Sequence, residues 1–287
     1  MKACALALGS TLGLTGSSHS AGFAGRIAAA FALALAISWP LVAGAQQAAE
    51  PFEPYSGQAG KDVVWVPTPD RTVEATLDLA GLKPSDYVID LGSGDGRMVI
   101  AAAKRGARGH GVEFNPKMVD YAQKRAQEAG VADRAKFIEG DMYAADISQA
   151  TVMPLFLLTE NLDRLAPNFL QLRPGTRIVT VTYTITDWEH DESADVGPDC
   201  NAWCRVFKYI VPADASGVWK LGDAELVVSQ KFQKFTGKLG AATVEDGRLH
   251  GDEISFNVGG VPYYGTVSGN EMRGVRPNVW RATRSGG

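Results

Sequence analysis

Cysteine is scarce in this chain: three residues of 287, of which only Cys200 and Cys204 lie beyond position 4. Histidine is almost as rare, at positions 19, 110, 190 and 250. With His190 the only imidazole near the cysteine pair, zinc-finger spacing is excluded and no metal site is expected. The pair itself has two readings, a disulfide across a short loop in an oxidising compartment or two free thiols. A basic surplus is also missing. The chain carries 28 Lys and Arg against 32 Asp and Glu, which argues against nucleic acid as the main partner. Long apolar runs are absent except for one near the N-terminus, so no other segment is apolar enough to span a bilayer.

That one run has its own logic. The first 45 residues hold no Asp or Glu, and Lys2 and Arg26 are their only Lys or Arg. Ile27 to Val42 forms an apolar core, and Ala43-Gly44-Ala45 has the small–any–small pattern of a cleavage site. Residues 1–45 therefore read as a secretory signal peptide cleaved before Gln46, with an uncleaved membrane anchor as the alternative. Cys4 precedes the apolar core and is not placed as a lipoprotein cysteine. The mature chain is expected in the periplasm, with 26 basic and 32 acidic residues. Residues 46–61, small and polar with Pro51 and Pro54, read as a linker.

What the chain does have is one organising stretch, Tyr87-Val88-Ile89-Asp90-Leu91-Gly92-Ser93-Gly94-Asp95-Gly96-Arg97. An apolar run ends in an acid, a loop carries three alternate glycines, and an Ala-rich amphipathic run follows. This predicts a buried strand, a tight loop and a helix. Glycines at the carboxyl end of such a strand let the backbone approach a ligand. The pattern is not the dinucleotide fingerprint, because Arg97 stands where the third glycine belongs.

Around that stretch the chain alternates strand and helix. Val63 to Val66 reads as a short extended run. Thr68 is expected to cap a helix with Pro69 at its first position, Val73, Leu77 and Ala80 on its buried face and Gly81 at its end. A second strand, Gly109 to Phe114, carries Glu113, 23 residues beyond Asp90, where a carboxylate can accept both hydroxyls of a ribose. Asn115-Pro116 caps the next helix and Gly130 closes it. A third strand, Ala135 to Ile138, runs into Glu139-Gly140-Asp141-Met142, where an acid can bond an exocyclic amine and Met can pack on a purine. The fourth strand, Thr151 to Leu158, contains Pro154, which predicts a bulge or shortened pairing. Pro167 is expected to break or restart the helix after it, and Thr176 to Thr184 is the fifth strand. The alternation predicts a Rossmann-like α/β fold, a mainly parallel sheet with helices on both faces.

These residues resemble a class I S-adenosylmethionine-dependent methyltransferase. The longer pattern is more particular: Val66-Pro67-Thr68-Pro69, Asp90 to Arg97, Leu157-Leu158-Thr159-Glu160-Asn161-Leu162 and Tyr209-Ile210-Val211-Pro212-Ala213. It is similar to the branch containing the lysine methyltransferases of the ATP synthase c-subunit and the adenine nucleotide translocase, with their bacterial relatives. The resemblance covers residues 62–213. It implies S-adenosyl-L-methionine as cofactor, with Asp90, Leu91, Gly92, Ser93, Gly94, Asp95 and Gly96 around its methionine moiety. It further implies Glu113 on the ribose, and Asp141 on the adenine amine with Met142 packed nearby. Thr159, Glu160 and Asn161 are implied at the methyl-transfer end, orienting an acceptor amine that is a protein lysine. A non-catalytic S-adenosylmethionine-binding or envelope ligand-binding protein, and a small-molecule methyltransferase, remain open alternatives.

Trp188-Glu189-His190-Asp191-Glu192 reads as an acidic loop, solvated or attracting a basic substrate. From residue 214 the character changes. Glycine makes up 13 of the last 74 residues, period-2 alternation dominates, and Asp246-Gly247, Gly259-Gly260 and Ser268-Gly269-Asn270 read as hairpin turns. A small antiparallel meander or partial barrel is expected over 214–287. Its aromatics Trp219, Phe232, Phe235, Tyr263, Tyr264 and Trp280 are either core or a binding face.

Overall fold

Val88, Ile89 and Leu91 are each 1% exposed or less, the burial on both faces that an inner parallel strand requires. The strand they form, β1 (Tyr87–Leu91), is an inner strand of a seven-stranded sheet with β2 (Arg108–Glu113), β3 (Ala135–Glu139), β4 (Val152–Leu155), β5 (Arg177–Val181), β6 (Glu192–Asp195) and β7 (Arg205–Ile210). The strand order is β3-β2-β1-β4-β5-β7-β6. β1 to β5 pair in parallel, and β7 runs antiparallel to both β5 and β6. The order reverses between β1 and β4, so a crevice opens at their carboxyl ends. This computed structural model describes residues 52–275 and 278–285; the leader read at 1–45 and the first part of the linker lie outside them.

Strand alternation assigns the two helical layers. Val88, Val152 and Val179 pack against Val73 and Leu77 of α1 (Asp70–Leu79) and Met98 and Ala102 of α2 (Arg97–Lys104). Ile89, Leu91, Met153, Leu155 and Ile178 pack against Leu162, Leu165 and Phe169 of α4 (Thr159–Phe169). The remaining helix, α3 (Pro116–Glu128), seats Ala122 and Ala126 against Ala135 and Phe137 of β3. Asn115 caps α3 by accepting the Lys117 N–H, with Pro116 in the first turn.

Several local expectations change. α1 starts at Asp70 with no side-chain cap. Thr68 instead offers its carbonyl to Arg97 Nη1 at 2.5 Å. Val63 to Val66 joins no ladder. Residues 58–61, read as the end of a linker, are packed: Gln58 is buried and approaches Met118 Sδ at 3.1 Å, and Lys61 bonds Asp141. Pro154 does shorten a pairing, since β4 meets β1 only at Val88↔Val152 while it keeps four register pairs with β5. Pro167 neither breaks nor restarts α4; so near the end of the helix it removes one hydrogen bond and the last turn absorbs the loss.

The C-terminal region is antiparallel β, as expected, with its strands closed into an eight-stranded barrel. It is built from β8 (Gly217–Leu221), β9 (Ala224–Lys231), β10 (Lys234–Leu239), β11 (Ala242–His250), β12 (Glu253–Val258), β13 (Val261–Ser268), β14 (Glu271–Gly274) and β15 (Arg281–Arg284), with β15 closing on β8. Gly259-Gly260 and Ser268-Gly269-Asn270 make hairpin turns, but Asp246-Gly247 does not. Asp246, with φ of 53°, sits inside β11 where the register with β12 shifts. An Asp-Gly pair meets the positive φ of a bulge as readily as that of a turn. Trp219, Phe235 and Trp280 are buried in the barrel core. Tyr263 stacks on Phe256 at 4.8 Å. Phe232 leaves that core and stacks on Trp188 of the other region at 4.9 Å. No common binding face forms from these aromatics.

The acidic loop meets the same barrel surface. Asp187 pairs with Lys231 at 3.0 Å, Glu189 with Lys234 at 2.6 Å and with Arg248 at 3.4 Å. Its charges are therefore largely spent on the barrel.

Candidate active site

The loop after β1 holds three glycines in the left-handed region, with φ of 71° at Gly92, 54° at Gly94 and 79° at Gly96. Side chains are excluded there sterically as well. A Cβ on Gly94 would enter the Trp65 indole, and one on Gly96 would enter the Phe137 ring. This cradle separates two recesses at the carboxyl end of β1. Both are roofed by Val63 and Trp65 and share Gly92 and Leu157.

The first recess gathers Glu113, Phe114, Gly140, Asp141 and Met142 with Lys61. Glu113 is locked by two backbone donors: the Gly94 N–H reaches Oε2 at 2.9 Å and the Asn115 N–H reaches Oε1 at 3.0 Å. Each oxygen keeps a lone pair for a ligand hydroxyl. Asp141 accepts the Tyr143 N–H at 2.9 Å on Oδ1 and the Lys61 ammonium at 2.6 Å on Oδ2. The Lys61 contact, then the Tyr143 N–H, hold its carboxyl below the usual range. Lys61 also stands 5.1 Å over the Phe114 ring, so an adenine amine reaching Asp141 would compete with it.

The second recess is lined by Asp90, Ser93, Asp95, Arg97, Met98 and Phe156 under residues 63–68. Asp90 is buried, and burial, then the like charges of Glu113 and Asp95, push its carboxyl well above the ordinary value. A cation is the ligand chemistry that relieves such a group. Ser93 Oγ is buried with no partner among the described residues. Leu91 is buried in the sheet core and supports the loop from beneath. Asp95 has another task. Its carboxylate binds Arg97 at 2.6 Å and also Arg125, so it fastens the loop to α2 and α3 while also lining the recess.

Thr159, Glu160 and Asn161 line neither recess. Thr159 donates to the Thr184 carbonyl at 3.0 Å, Glu160 is exposed, and Asn161 Nδ2 donates to Tyr143 Oη at 2.8 Å. Thr159 and Asn161 are thereby tied to the segments that follow β5 and β3. Phe156 and Leu157, just upstream, hold the position assigned to them. Sequence reading also missed Lys61, at the end of an apparent linker, Trp65, inside the run read as extended, and Arg125, which carries no local signal. Arg97 was visible only as an interruption of a glycine pattern.

The cradle, the locked Glu113 carboxylate, the unpartnered Ser93 hydroxyl and the cation-seeking Asp90 fit S-adenosylmethionine, which carries a ribose, a nucleobase and two cationic centres. Sequence comparison with known methyltransferases points the same way. Residues 90–192 match the model of the ANTKMT methyltransferase domain. A protein-lysine N-methyltransferase of Saccharolobus islandicus (strain REY15A) is 38% identical over 152 residues, covering 52% of this chain and 94% of that protein. The ATP synthase c-subunit lysine N-methyltransferase of Mus musculus is 33% identical over 136 residues, 47% of this chain, and the match spans only 55% of that enzyme. The solved structure of an RNA methyltransferase from Salinibacter ruber in complex with S-adenosyl-L-homocysteine is 42% identical, covers 52% of this chain and 95% of that chain, and superposes with a TM-score of 0.49.

Proposed function

We propose that this chain, which belongs to the S-adenosylmethionine-dependent protein-lysine methyltransferase family, transfers a methyl group from S-adenosyl-L-methionine to the side-chain amine of a lysine in a protein. The observation that carries the reading is the pair of recesses joined at Gly92, one equipped for adenosine and the other for a cation. When bound, the cofactor supplies a methyl carbon that the lysine Nζ lone pair attacks in line, the S–CH3 bond breaking with its electrons left on sulfur. Everything else falls to the chain's own residues. Glu113 and Asp141 fix the adenosine end. Asp90 offers the second recess a carboxyl that a bound cation would ionise. Val63, Trp65 and Leu157 keep water off the shared wall. Positioning of this kind accounts for most of the acceleration an in-line displacement needs. The acceptor amine must first lose its proton, and its ordinary pKa is about 10.4. The apolar walls from Val66, Met98 and Phe156 lower that value by withholding solvation.

Incubating the protein with methyl-labelled S-adenosylmethionine and an envelope fraction tests the acceptor. Label should be recovered in protein and, after hydrolysis, as methyl-lysine. Label found only in RNA or in small molecules overturns the lysine assignment. S-adenosylhomocysteine binding without any transfer would mark a cofactor-binding protein that lacks turnover.

Export is part of the same proposal and rests on residues 27–45, with the Cys200–Cys204 disulfide as support, since such bonds persist in oxidising compartments. Mass spectrometry of the natively produced protein should find an N-terminus at Gln46. A full-length product in the cytoplasm would remove the export reading.

A further inference from the structure

The tip of the β6–β7 hairpin lies beyond the matched residues 90–192 and carries a feature the site described so far does not use. Cys200 and Cys204 are joined there, with Cα atoms 5.6 Å apart, and the short loop they close contains Trp203. Trp203 has φ of 61°, a conformation a bulky side chain rarely adopts unless its surroundings impose it. Its carbonyl accepts Thr72 Oγ1 of α1 at 3.3 Å. The indole leans on two rings from the sheet: Phe156, just after β4, at 5.1 Å, and Tyr183, two residues after β5, at 6.4 Å. Phe156 and Tyr183 stack on each other at 6.3 Å. All three rings remain partly exposed, and Phe156 also lines the recess that holds Asp90.

We propose that Trp203, held by the Cys200–Cys204 disulfide against Phe156 and Tyr183, forms the aromatic wall along which the acceptor lysine reaches the methyl-transfer recess. The inference rests on the lysine methyltransferase reading above. A lysine side chain pairs an apolar four-carbon stem with a cationic head. Aromatic faces take the stem by contact and the head through the ring quadrupole. Three rings at the carboxyl ends of β4 and β5, continuous with a recess that ends in an acid, match both parts. Because the disulfide closes the loop that carries Trp203, this wall is sensitive to thiol reductants: two electrons and two protons from a dithiol open the loop to Cys200 and Cys204 thiols and leave Trp203 without its closure.

Poly-L-lysine serves as the probe acceptor, with transfer followed from methyl-labelled S-adenosylmethionine. Trp203→Ala should raise KM for poly-L-lysine about five- to thirtyfold, the range expected for one partly desolvated cation–π contact. The affinity for S-adenosylhomocysteine, read by calorimetry, should stay within twofold. Trp203→Phe should recover most of the loss. Treating the unmodified protein with a dithiol, or replacing both cysteines with Ser, should raise the same KM and leave the same affinity intact. An unchanged KM in Trp203→Ala overturns the inference, as does a parallel loss of S-adenosylhomocysteine affinity, which would show a merely structural role. An unchanged KM after reduction, with Trp203→Ala still impaired, refutes the part played by the disulfide. If the unmodified protein binds S-adenosylhomocysteine but never labels poly-L-lysine, the lysine reading fails and takes this inference with it.

Discussion

Asp90→Asn is expected to stabilise the protein and at the same time to cripple cofactor binding. Asp90 is held above its ordinary ionisation range by burial, reinforced by the charges of Glu113 and Asp95. At low pH its carboxyl is protonated in the folded and the unfolded chain alike, and it costs nothing. As pH rises past the ordinary carboxylate value, the unfolded chain releases its proton while the folded chain keeps it, so the unfolded state gains. The penalty is complete once pH exceeds the raised folded value. Asparagine has no proton to lose and escapes it. The melting temperature of Asp90→Asn should therefore match that of the unmodified protein at pH below the ordinary carboxylate range and exceed it by a margin that grows as pH rises toward the raised value of Asp90.

Binding moves the other way. A bound sulfonium favours the ionised carboxylate, so S-adenosylmethionine affinity should rise with pH as Asp90 titrates, with proton release on binding. Asp90→Asn should flatten that dependence. It should also weaken S-adenosylmethionine by about ten- to hundredfold near neutral pH, corresponding to roughly 1.5–3 kcal/mol for a charged contact. S-adenosylhomocysteine, which lacks the sulfonium charge, should lose less. Thermal scans and calorimetry across pH decide both halves. Equal melting temperatures at high pH would mean that Asp90 bears no folding cost. Equal losses for the two ligands would place it beside the amino group and away from sulfur.

That stretch from Tyr87 to Arg97 was also the most legible part of the sequence, and the reason is physical. A strand buried on both faces must be apolar throughout, and a loop with three positive-φ residues must be glycine-rich, so both leave local marks. Glu113 and Asp141 were legible through their place at strand ends. Thr159, Glu160 and Asn161 line neither recess, and the partners that hold Thr159 and Asn161, Thr184 and Tyr143, come from segments distant in sequence. Lys61 and Trp65 escaped notice for the opposite reason. Their segment lacks regular structure and reads as the end of a linker followed by a short extended run, yet Gly94 leaves room for the Trp65 indole alone. The barrel shows the same limit: alternation reveals strands, while closure depends on β15 meeting β8 across more than fifty residues. Asp95 was legible as a polar loop residue, but its partner Arg125 comes from α3, and such a pairing exists only in three dimensions.

The barrel's contribution can be measured by removing it. Every residue of the two recesses precedes Ala213, so a chain ending there keeps the whole cradle. It loses the cover of Trp188, 2% exposed in the full protein, whose ring stacks on Phe232. It also loses the cations that pair with Asp187, Glu189 and Asp191, and the Gly251 carbonyl that accepts the Ala213 N–H at 2.7 Å. Phe232→Ala alone should cost about 1–3 kcal/mol, for one aromatic contact plus partial burial. Truncation after Ala213 removes that contact together with the rest of the interface, and should lower the melting temperature by roughly 10 °C or more, given about 2–4 °C per kcal/mol at this size. The molecules that remain folded should still bind S-adenosylhomocysteine with little change in calorimetry, because no cofactor residue has been taken away. A truncated chain as stable as the full protein would show that the interface contributes nothing to folding. A stable, soluble truncated chain that cannot bind would place part of the cofactor site in the barrel. A folded truncated chain with normal cofactor affinity but a raised KM for a macromolecular acceptor would assign the barrel to docking, since a rise in KM at unchanged kcat marks the loss of uniform binding.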